Sequence, residues 1–299
     1  MSKLPFVDVL DNTVSSHIKD DMSSFEYTYK AEITNLYQLT AAEKLYQLQI
    51  IDPKQRRDFT FRPGQFVMLE IPGIGEAPFS ISSSPIRHGD IELCIRAVGN
   101  LTNFLNRLQR GTNVGISGPF GTSFPVEKME GQNVMLIAGG LGIVPLRAPI
   151  FSVLENRSRY QEVDIIYGAI KPDSLLFTYQ YETWRQFDIN LNITVDQPDS
   201  SWTGPVGRVT DILQKRIDEI TNFADTTYVI ACGPPIMFKF VCDMVMKKGL
   251  PMHKMFVSLE RRMHCGRGKC CRCNIGSTYT CLKGPVFDYW SVLNLKEAI

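Results

Sequence analysis

Five of the eight cysteines lie in one short segment near the C-terminus, between residues 265 and 281. Four of them follow the spacing C-x4-C-x2-C-x7-C: Cys265, Cys270, Cys273 and Cys281. Four thiolates at C-x4-C-x2-C…C spacing are typical ligands of a plant-type [2Fe–2S] cluster. Glycines in the same segment let the loop wrap closely and direct backbone amides toward sulfur. A structural zinc ion is the alternative, because four thiolates also suit zinc.

The remaining cysteine of this segment, Cys271, is predicted to be spare. Using it in place of Cys270 would leave C-x-C to Cys273, a spacing outside the usual [2Fe–2S] patterns. Arg267, Lys269 and Arg272 can offset the negative charge of the thiolates. In a cytosolic chain such a crowded set of cysteines favours metal binding over disulfides.

A second pattern is a glycine-rich turn directly after the apolar run at residues 133–138. Gly139, Gly140 and Gly142 precede a helix-like segment, where backbone amides can approach a pyrophosphate. Cys232-Gly233-Pro234-Pro235 follows a later apolar run in the same way. Either turn alone could be a plain strand-to-helix connection. Together they predict a nucleotide site, because turns at the carboxyl ends of parallel strands line one crevice.

A third pattern lies in the first half of the chain. It consists of Ala77-Pro78-Phe79-Ser80-Ile81-Ser82 and of a segment from Ile95 to Thr102 that ends a strand and starts a helix. The helix start is a second position that favours anions. On the residues alone, an ordinary turn-rich strand and a capped helix are the better interpretation.

The elements that must position these motifs change character near residue 131. Before it, short strands separated by turn signals surround one helix at 101–109, which predicts a small antiparallel barrel. The predicted strands are 27–37, 44–51, 65–71, 79–82, 91–96 and 113–117.

After residue 131, strands and helices alternate, which is the signature of a parallel sheet flanked by helices. The predicted strands are 133–138, 163–167, 189–195, 227–231 and 254–259, and the predicted helices are 145–154, 175–187, 209–217 and 235–247. The predicted fold class is therefore β plus α/β: an antiparallel barrel, a parallel-sheet nucleotide-binding domain and a small C-terminal cysteine module. The predicted boundaries are an extension at 1–25, the barrel at 26–127, the α/β domain at 128–250 and the module at 251–299.

Composition excludes several classes of protein. The 299 residues include 32 Lys and Arg against 31 Asp and Glu, which leaves no basic excess for nucleic acid. Hydrophobic residues at 44% and charged residues at 21% are ordinary for a globular chain. No apolar stretch reaches the roughly 18 residues of a spanning helix. Asp8 and Asp11 interrupt the place where a signal peptide needs its apolar stretch, so a cytoplasmic location is expected.

The motifs taken in order resemble the ferredoxin–NADP(+) reductase superfamily. The ordered set is PFS at 78–80, R-x-x-G-x-x-T at 96–102, GPFG at 118–121, AGGLGIVP at 138–145, YGA at 167–169, ACGPP at 231–235 and the cysteine spacing. The resemblance spans about residues 27–290. It is strongest to electron-transfer subunits with a C-terminal [2Fe–2S] cluster. These include hydrogenase gamma subunits, the B subunit of anaerobic sulfite reductase and the electron-transfer subunit of dihydroorotate dehydrogenase.

The resemblance implies that FAD binds to the barrel. Phe79 and Ile81 would lie against the isoalloxazine, and Ser80 would offer a hydroxyl near its reactive edge. The other implied flavin-binding residues are Pro78, Ile95, Arg96, Gly99, Leu101 and Thr102. Many relatives have Arg at the position of Ala77, so a phosphate partner is missing here. Arg96 is the expected substitute, and an ordinary surface arginine is the alternative.

The resemblance also implies that NAD(H) or NADP(H) binds to the second domain. Gly139, Gly140, Gly142 and Ile143 would meet the pyrophosphate, with Gly168 and Ala169 beside the adenosine. Cys232, with Gly233 and Pro234, would lie beside the nicotinamide as the catalytic position; a plain buried thiol is the alternative. Near the adenosine, Lys171 could meet a 2′-phosphate, whereas Asp173 could accept from a 2′-hydroxyl and favour NADH.

A flavin between a nicotinamide and an iron–sulfur cluster converts a two-electron donor into single electrons. The sequence therefore predicts an electron-transfer subunit that works between NAD(P)H and a catalytic redox partner. A self-sufficient reductase of a soluble carrier and a zinc-binding regulator are the alternatives. The aromatic segment around Tyr289 and Trp290 is predicted to dock the partner, unless it folds back as core.

Overall fold

The computed structural model describes residues 28–293 and residue 295. The extension predicted at residues 1–25 lies outside the described residues.

Six antiparallel strands form the first sheet, in the order β4-β3-β6-β1-β2-β5. The two edge strands, β4 and β5, contact each other, so the sheet curls into a barrel around a core of Ile, Leu, Val and Phe side chains. Its strands are β1 Tyr29–Gln38, β2 Glu43–Ile50, β3 Phe66–Ile71, β4 Gly75–Ser80, β5 Asp90–Arg96 and β6 Asn113–Phe120. Two short helices, α1 Pro53–Asp58 and α2 Asn100–Leu105, join the strands. Helix α1 was not predicted.

The second sheet has the order β14-β11-β10-β7-β8-β9. Five of its strands are parallel, and the edge strand β14 runs antiparallel to β11. The strands are β7 Asn133–Gly139, β8 Val163–Ala169, β9 Asn190–Val195, β10 Thr227–Cys232, β11 Met255–Ser258 and β14 Val286–Asp288. The helices are α3 Ile143–Glu155, α4 Tyr181–Gln186, α5 Val209–Glu219, α6 Phe223–Thr226, α7 Pro235–Lys247 and α9 Tyr289–Leu293. The barrel followed by an α/β domain confirms the predicted fold class.

The helix predicted at 175–187 is wrong in its first half. Only Tyr181–Gln186 is α-helical, and it follows two 3₁₀ turns. Phe177 has a left-handed backbone with φ of 57°, which ends any helix at that point. The apolar residues Leu175, Leu176 and Phe177 still enter the core of the second domain, so their spacing reflected burial rather than a helix.

The cysteine segment lies between β11 and β14 and contains little regular structure. A two-residue hairpin, β12 Asn274–Ile275 and β13 Thr278–Tyr279, leads into the short helix α8 Thr280–Lys283. Because β11 and β14 belong to the second sheet, this segment leaves that sheet and returns to it. The predicted domain boundaries themselves stay a prediction.

In the part of the chain that the structure describes, no helix is long and apolar enough to cross a membrane.

A buried arginine joins the barrel to the second domain. Arg147 of α3 is 3% exposed; its Nη1 donates to the Ser82 carbonyl oxygen at 2.9 Å and to the carboxylate of Glu92 on β5. Its Nε donates to Gln180 Oε1 at 2.8 Å, and its guanidinium lies 4.6 Å from the ring centroid of Phe177. One side chain thus fixes α3 relative to the flank of the barrel.

We predict that Arg147→Ala lowers the free energy of unfolding by about 3–5 kcal/mol, because it leaves the Glu92 carboxylate buried without its cation. Urea unfolding followed by fluorescence measures the change. The control is Arg159→Ala, which removes an exposed ion pair with Glu130 and should cost less than about 1 kcal/mol. Equal losses in the two variants would contradict this role of Arg147.

Candidate functional site

A cleft of about 260 Å³ lies between the barrel and the second domain. Strands β4 and β5 supply one wall, the start of α3 supplies another, and the chain just after β11 supplies a third. The lining residues are Phe66, Pro78, Phe79, Ser80, Cys94, Ile95, Arg96, Val98, Thr102, Leu141, Val144, Pro145, Ser258, Leu259, Glu260, Arg261, Met263 and Pro285. The cleft therefore gathers residues from both domains and from the cysteine segment.

Strand β4 presents its residues to this cleft because it is an edge of the sheet. Pro78, Phe79 and Ser80 are half-buried there, and proline is tolerated because an edge strand leaves some of its amides unpaired. Ile81 differs: its side chain is fully buried in the barrel core and does not line the cleft. Leu101 packs against the same core rather than into the cleft.

The side chain of Thr102, in the first turn of α2, accepts hydrogen bonds from the two residues that precede the helix. The amides of Val98 and Gly99 each donate to Thr102 Oγ1 at 2.9 Å. These two amides are therefore satisfied inside the cap, whereas the N-cap residue Gly99 makes no side-chain hydrogen bond to the amides of the first turn. Thr102 and Val98 nevertheless line the cleft beside Arg96.

Arg96 is the cation nearest the β4 wall of the cleft. Its Nε donates to the carboxylate of Glu43, which is 3% exposed, while 45% of the Arg96 side chain is exposed. Glu43 also accepts from the Thr40 hydroxyl. Arg96 is therefore held by a buried carboxylate while it lines the cleft.

The two glycine turns touch each other across the carboxyl ends of β7 and β10. A Cβ on Gly142 would lie 2.0 Å from the Cys232 carbonyl oxygen, and one on Gly139 would lie 2.8 Å from Met237 Sδ. Gly140 has φ of 55°, a conformation that favours glycine. Ile143, the first residue of α3, is buried beneath the turn. The glycines are thus explained by close backbone packing as well as by access for a ligand.

Other predicted nucleotide-binding residues surround the same end of the sheet. Gly168 and Ala169 end β8, and a Cβ on Gly168 would lie 2.6 Å from Val209 Cγ1. Gly233 and Pro234 directly precede α7. The predicted residues from β7, β8 and β10 therefore lie at one edge of the sheet.

Cys232 is placed differently from its expected role. Its side chain is 2% exposed, it belongs to the core of the second domain, and it does not line the cleft. Its Sγ lies 4.0 Å from the Ser258 carbonyl oxygen. Burial raises the pKa of the thiol far above its usual range, so it stays neutral. These observations favour the buried-thiol alternative.

Glu260 is a cleft residue that the sequence analysis missed. It follows β11 with only Leu259 between them, and desolvation in the cleft raises the pKa of its carboxyl group even though part of the side chain is exposed. A signal was present: β11 is parallel to β10, so its carboxyl end reaches the same crevice. No site residue was predicted at the end of this strand.

The four predicted ligand cysteines fall into two pairs. Cys265 and Cys270 are hydrogen-bonded to each other, and so are Cys273 and Cys281. Cys273 and Cys281 are buried, whereas Cys270 is exposed. Among the described residues no three potential ligands form a site for one metal ion. Two pairs suit a two-iron cluster, which takes two protein ligands on each iron, better than a single zinc ion.

Backbone amides point at these sulfurs. Gly268 N donates to Cys281 Sγ at 3.1 Å, and the amides of Arg267 and Lys269 each donate to Cys265 Sγ at 3.4 Å. Against the opposing effect of burial, these amides and that of Cys270 lower the pKa of Cys265 to about 7. Burial, followed by the neighbouring Cys273 thiol, raises the pKa of Cys281 to about 11, so a metal must displace the proton there.

One further polar atom fits a sulfur-rich group. The hydroxyl of Thr280 is fully buried beside Cys281 and has no hydrogen-bond partner in the described part of the chain. An additional acceptor would satisfy it. The donor set, the two thiol pairs and this orphaned hydroxyl together fit an iron–sulfur cluster.

Cys271 lies apart from both pairs. It is exposed, has φ of 56°, and its Sγ is 3.2 Å from the Tyr279 hydroxyl. This position agrees with the prediction that it is spare, although the ligand assignment stays a prediction.

Comparison with known protein families gives three consecutive matches. An oxidoreductase FAD-binding domain matches residues 30–124, an oxidoreductase NAD-binding domain matches 136–243, and the iron–sulfur cluster binding domain of dihydroorotate dehydrogenase B matches 260–293. The gamma subunit of sulfhydrogenase 1 from Pyrococcus furiosus is 40% identical over 273 residues, which cover 89% of this chain and 92% of that protein.

The chain belongs to the ferredoxin–NADP(+) reductase superfamily. It is an oxidoreductase with FAD-binding, NAD-binding and iron–sulfur domains, which confirms the predicted cofactors. The probable electron transfer subunit of dihydroorotate dehydrogenase B from Thermococcus kodakarensis is 34% identical and covers 76% of this chain and 85% of that protein.

Solved structures agree in fold. The structure of an NADH-dependent reduced ferredoxin–NADP oxidoreductase superimposes with a TM-score of 0.68 at 24% identity, over 88% of this chain and 91% of that one. A ferredoxin NADP+ reductase from Neisseria gonorrhoeae gives a TM-score of 0.65 at 18% identity, over 77% and 97%. These members of the superfamily therefore share the arrangement of barrel and α/β domain.

We predict that Cys273→Ser abolishes the cluster, because the buried inner pair loses a thiolate that serine does not replace. Iron and sulfide, expected at about two of each per chain, should fall together with the visible absorbance. The matched control is Cys271→Ser, which removes an exposed thiol two positions away and should keep the cluster. Loss of iron in Cys271→Ser, with retention in Cys270→Ser, would overturn the assignment.

Proposed function

We propose that this chain carries electrons between NAD(P)H, FAD and a [2Fe–2S] cluster, and to or from a separate catalytic redox subunit. One observation carries the proposal. Phe66 and Met263 line the cleft and also pack against Cys273 and Cys281 in a single apolar cluster. The cleft and the inner thiol pair thus share one wall.

The barrel side of the cleft supplies the groups that would hold FAD. Phe79 offers an aromatic face, Ser80 offers a hydroxyl, and Arg96 and Thr102 offer polar groups next to them. When bound there, FAD supplies the exchange between a two-electron hydride donor and single electrons.

The second domain would hold the pyridine nucleotide. The turns at 139–142 and 233–234 lie at the carboxyl ends of β7 and β10, where parallel α/β sheets bind ligands, and a Cβ on Gly140 would meet nothing within 4 Å. Leu141, Val144 and Pro145 of the first turn and α3 line the cleft. The nucleotide site and the flavin-binding wall therefore open into one space, which hydride transfer requires.

Ser80 and Glu260 are polar groups in this cleft that could hold a proton or hydrogen-bond to a protonated group. The raised pKa of Glu260 lets its carboxyl group hold a proton nearer to neutral pH than a solvated glutamate. The Ser80 hydroxyl can donate or accept a hydrogen bond on the opposite wall. Neither role requires the residue to act as a nucleophile, and hydride transfer does not need one.

The two relatives described above are named as subunits: a sulfhydrogenase gamma subunit and a dihydroorotate dehydrogenase electron transfer subunit. These names support the proposal that this chain also works beside a catalytic subunit. A self-sufficient reductase is the second candidate, since the cleft and cysteine segment are complete within one chain. The same proposal includes a cytoplasmic location, which fits a chain whose cysteines form no disulfide with one another among the described residues.

The aromatic residues of the predicted docking segment differ in burial. Phe287 and Tyr289 are buried in the core of the second domain, and the Tyr289 hydroxyl hydrogen-bonds Cys242. Trp290 is 63% exposed. Any contribution of this segment to partner docking is therefore proposed for Trp290 and not for Tyr289.

The proposed function predicts a two-stage reduction. Under anaerobic stopped-flow conditions, NADH should first bleach the flavin absorbance, and the cluster absorbance should follow. NADH is preferred over NADPH in this proposal because Lys171 has no arginine beside it for a 2′-phosphate. A chain that binds both cofactors but whose cluster stays oxidised in excess NADH would refute the proposal.

We predict that Met263→Ala slows reduction of the cluster at least severalfold and leaves reduction of the flavin by NADH unchanged. The substitution opens a gap between the cleft and the buried thiols of Cys273 and Cys281, because Met263 packs against both. Stopped-flow traces at flavin and cluster wavelengths separate the two steps. The control is Met252→Ala, which trims a half-buried methionine packed against the other face of the second domain. Slowing of both steps equally would show that Met263 acts on the flavin site instead.

A further inference from the structure

The charge of the chain is unevenly distributed along the sequence. Residues 260–283 contain six Lys and Arg but one acidic residue, Glu260, for a net charge of +5 in 24 residues. The other 275 residues carry 26 basic and 30 acidic side chains, a net charge of −4. The chain as a whole is therefore nearly neutral, but it contains one strongly basic segment. This segment also contains the predicted ligand cysteines.

Four of these cations form what we call the basic collar: Arg262, Lys269, Arg272 and Lys283. All four side chains are exposed. Each lies within three residues of a predicted ligand cysteine, so the convergence of the cysteines brings the cations around the same point. Among the described residues none of the four makes an ion pair.

The charge of the collar exceeds what the cluster itself needs. An oxidised [2Fe–2S] centre with four thiolates carries a net charge of about −2. Arg267 already stacks over Phe120 at 5.6 Å, and its charge partly offsets the rise that burial causes in the pKa of the nearby Glu76 carboxyl group. The cluster would thus balance only part of the positive charge of the collar, and the rest is available to act on something outside the chain.

An apolar side chain stands beside the collar. Leu282 is 50% exposed and lies directly over Gly268, since a Cβ on Gly268 would be 2.3 Å from Leu282 Cδ1. It is flanked in sequence by Cys281 and Lys283. An exposed apolar residue bordered by charges is typical of protein interfaces with a polar rim.

We propose that the basic collar docks an acidic surface surrounding a one-electron redox centre on a partner protein. This inference rests on the proposed function, because it takes the cluster as the exit point for electrons. Lys269 and Arg272 flank the exposed Cys270 in sequence, whereas Cys273 and Cys281 pack against residues that line the cleft. Opposite charges on the two surfaces would speed encounter and bring the two centres close.

The test uses two forms of one electron acceptor: native cytochrome c, which is basic, and succinylated cytochrome c, which is acidic. Each NADH reduces two ferric haems to ferrous haems and releases one NAD+ and one proton. The holoenzyme is mixed anaerobically with NADH and either form, and haem reduction is followed by absorbance.

At about 10 mM salt, where the screening length is about 30 Å, the succinylated form should be reduced at least tenfold faster than the native form. The preference should vanish near 1 M salt, where that length is about 3 Å. Lys269→Glu combined with Arg272→Glu should abolish or invert it. Equal rates for the two cytochromes, faster reduction of the native form, or no reduction of either by protein whose cluster is reduced would overturn the inference.

The matched control is Lys54→Glu combined with Lys215→Glu, which makes the same charge change at exposed sites in α1 and α5 and should keep the preference. If the charge-reversed collar variant loses iron, the variant Lys269→Gln with Arg272→Gln is used in its place.

A labelled DNA duplex tests the other class of anionic macromolecule. DNA binding at 150 mM salt that the collar variant loses would overturn the proposal of a protein partner. If NADH does not reduce the cluster, the proposed function fails, and dithionite-reduced protein still tests the collar.

Discussion

The pairing of β14 with β11 is the constraint on which the rest of the site depends. The cysteine segment leaves the second sheet after Ser258 and re-enters it at Val286, opposite the same residue. A loop whose ends are held side by side loses much of its freedom before any metal binds. Leu259 N also donates to the Pro285 carbonyl oxygen at 2.9 Å, which closes the neck of the loop.

The barrel holds the same neck from the other side. Thr122 N donates to the Gly284 carbonyl oxygen at 2.7 Å, and Thr122 Oγ1 donates to the Val286 carbonyl oxygen at 2.6 Å. A Cβ on Gly121 would lie 2.7 Å from the Gly284 oxygen, so the two backbones approach as closely as glycine allows. The cysteine segment is therefore positioned by both sheets, although it has almost no secondary structure of its own. This explains how a loop can present one thiol pair to the barrel and the other to solvent.

The sequence predicted most of what depends on local pattern. The cysteine spacing, the glycine turns and the alternation of strands are short-range features, and the structure places them together as expected. What the sequence could not predict are contacts between distant elements. The ion pair of Arg147 with Glu92 joins residues 55 positions apart, and neither residue has a distinctive neighbour. The side of a strand on which a residue lies was also uncertain, since Ile81 enters the core while Ser80 enters the cleft.

The pairing of Arg96 with Glu43 bears on the prediction that Arg96 takes the place of a cation at position 77. A free arginine in the cleft would attract a phosphate through its full charge, but it would also sample many rotamers. Glu43 neutralises part of that charge and fixes the guanidinium, and Thr40 in turn hydrogen-bonds Glu43. The side chain thus offers oriented donors rather than net positive charge. Because arginine binds phosphate through the geometry of its fork as well as through charge, an oriented Arg96 can serve a flavin pyrophosphate without a second cation at position 77.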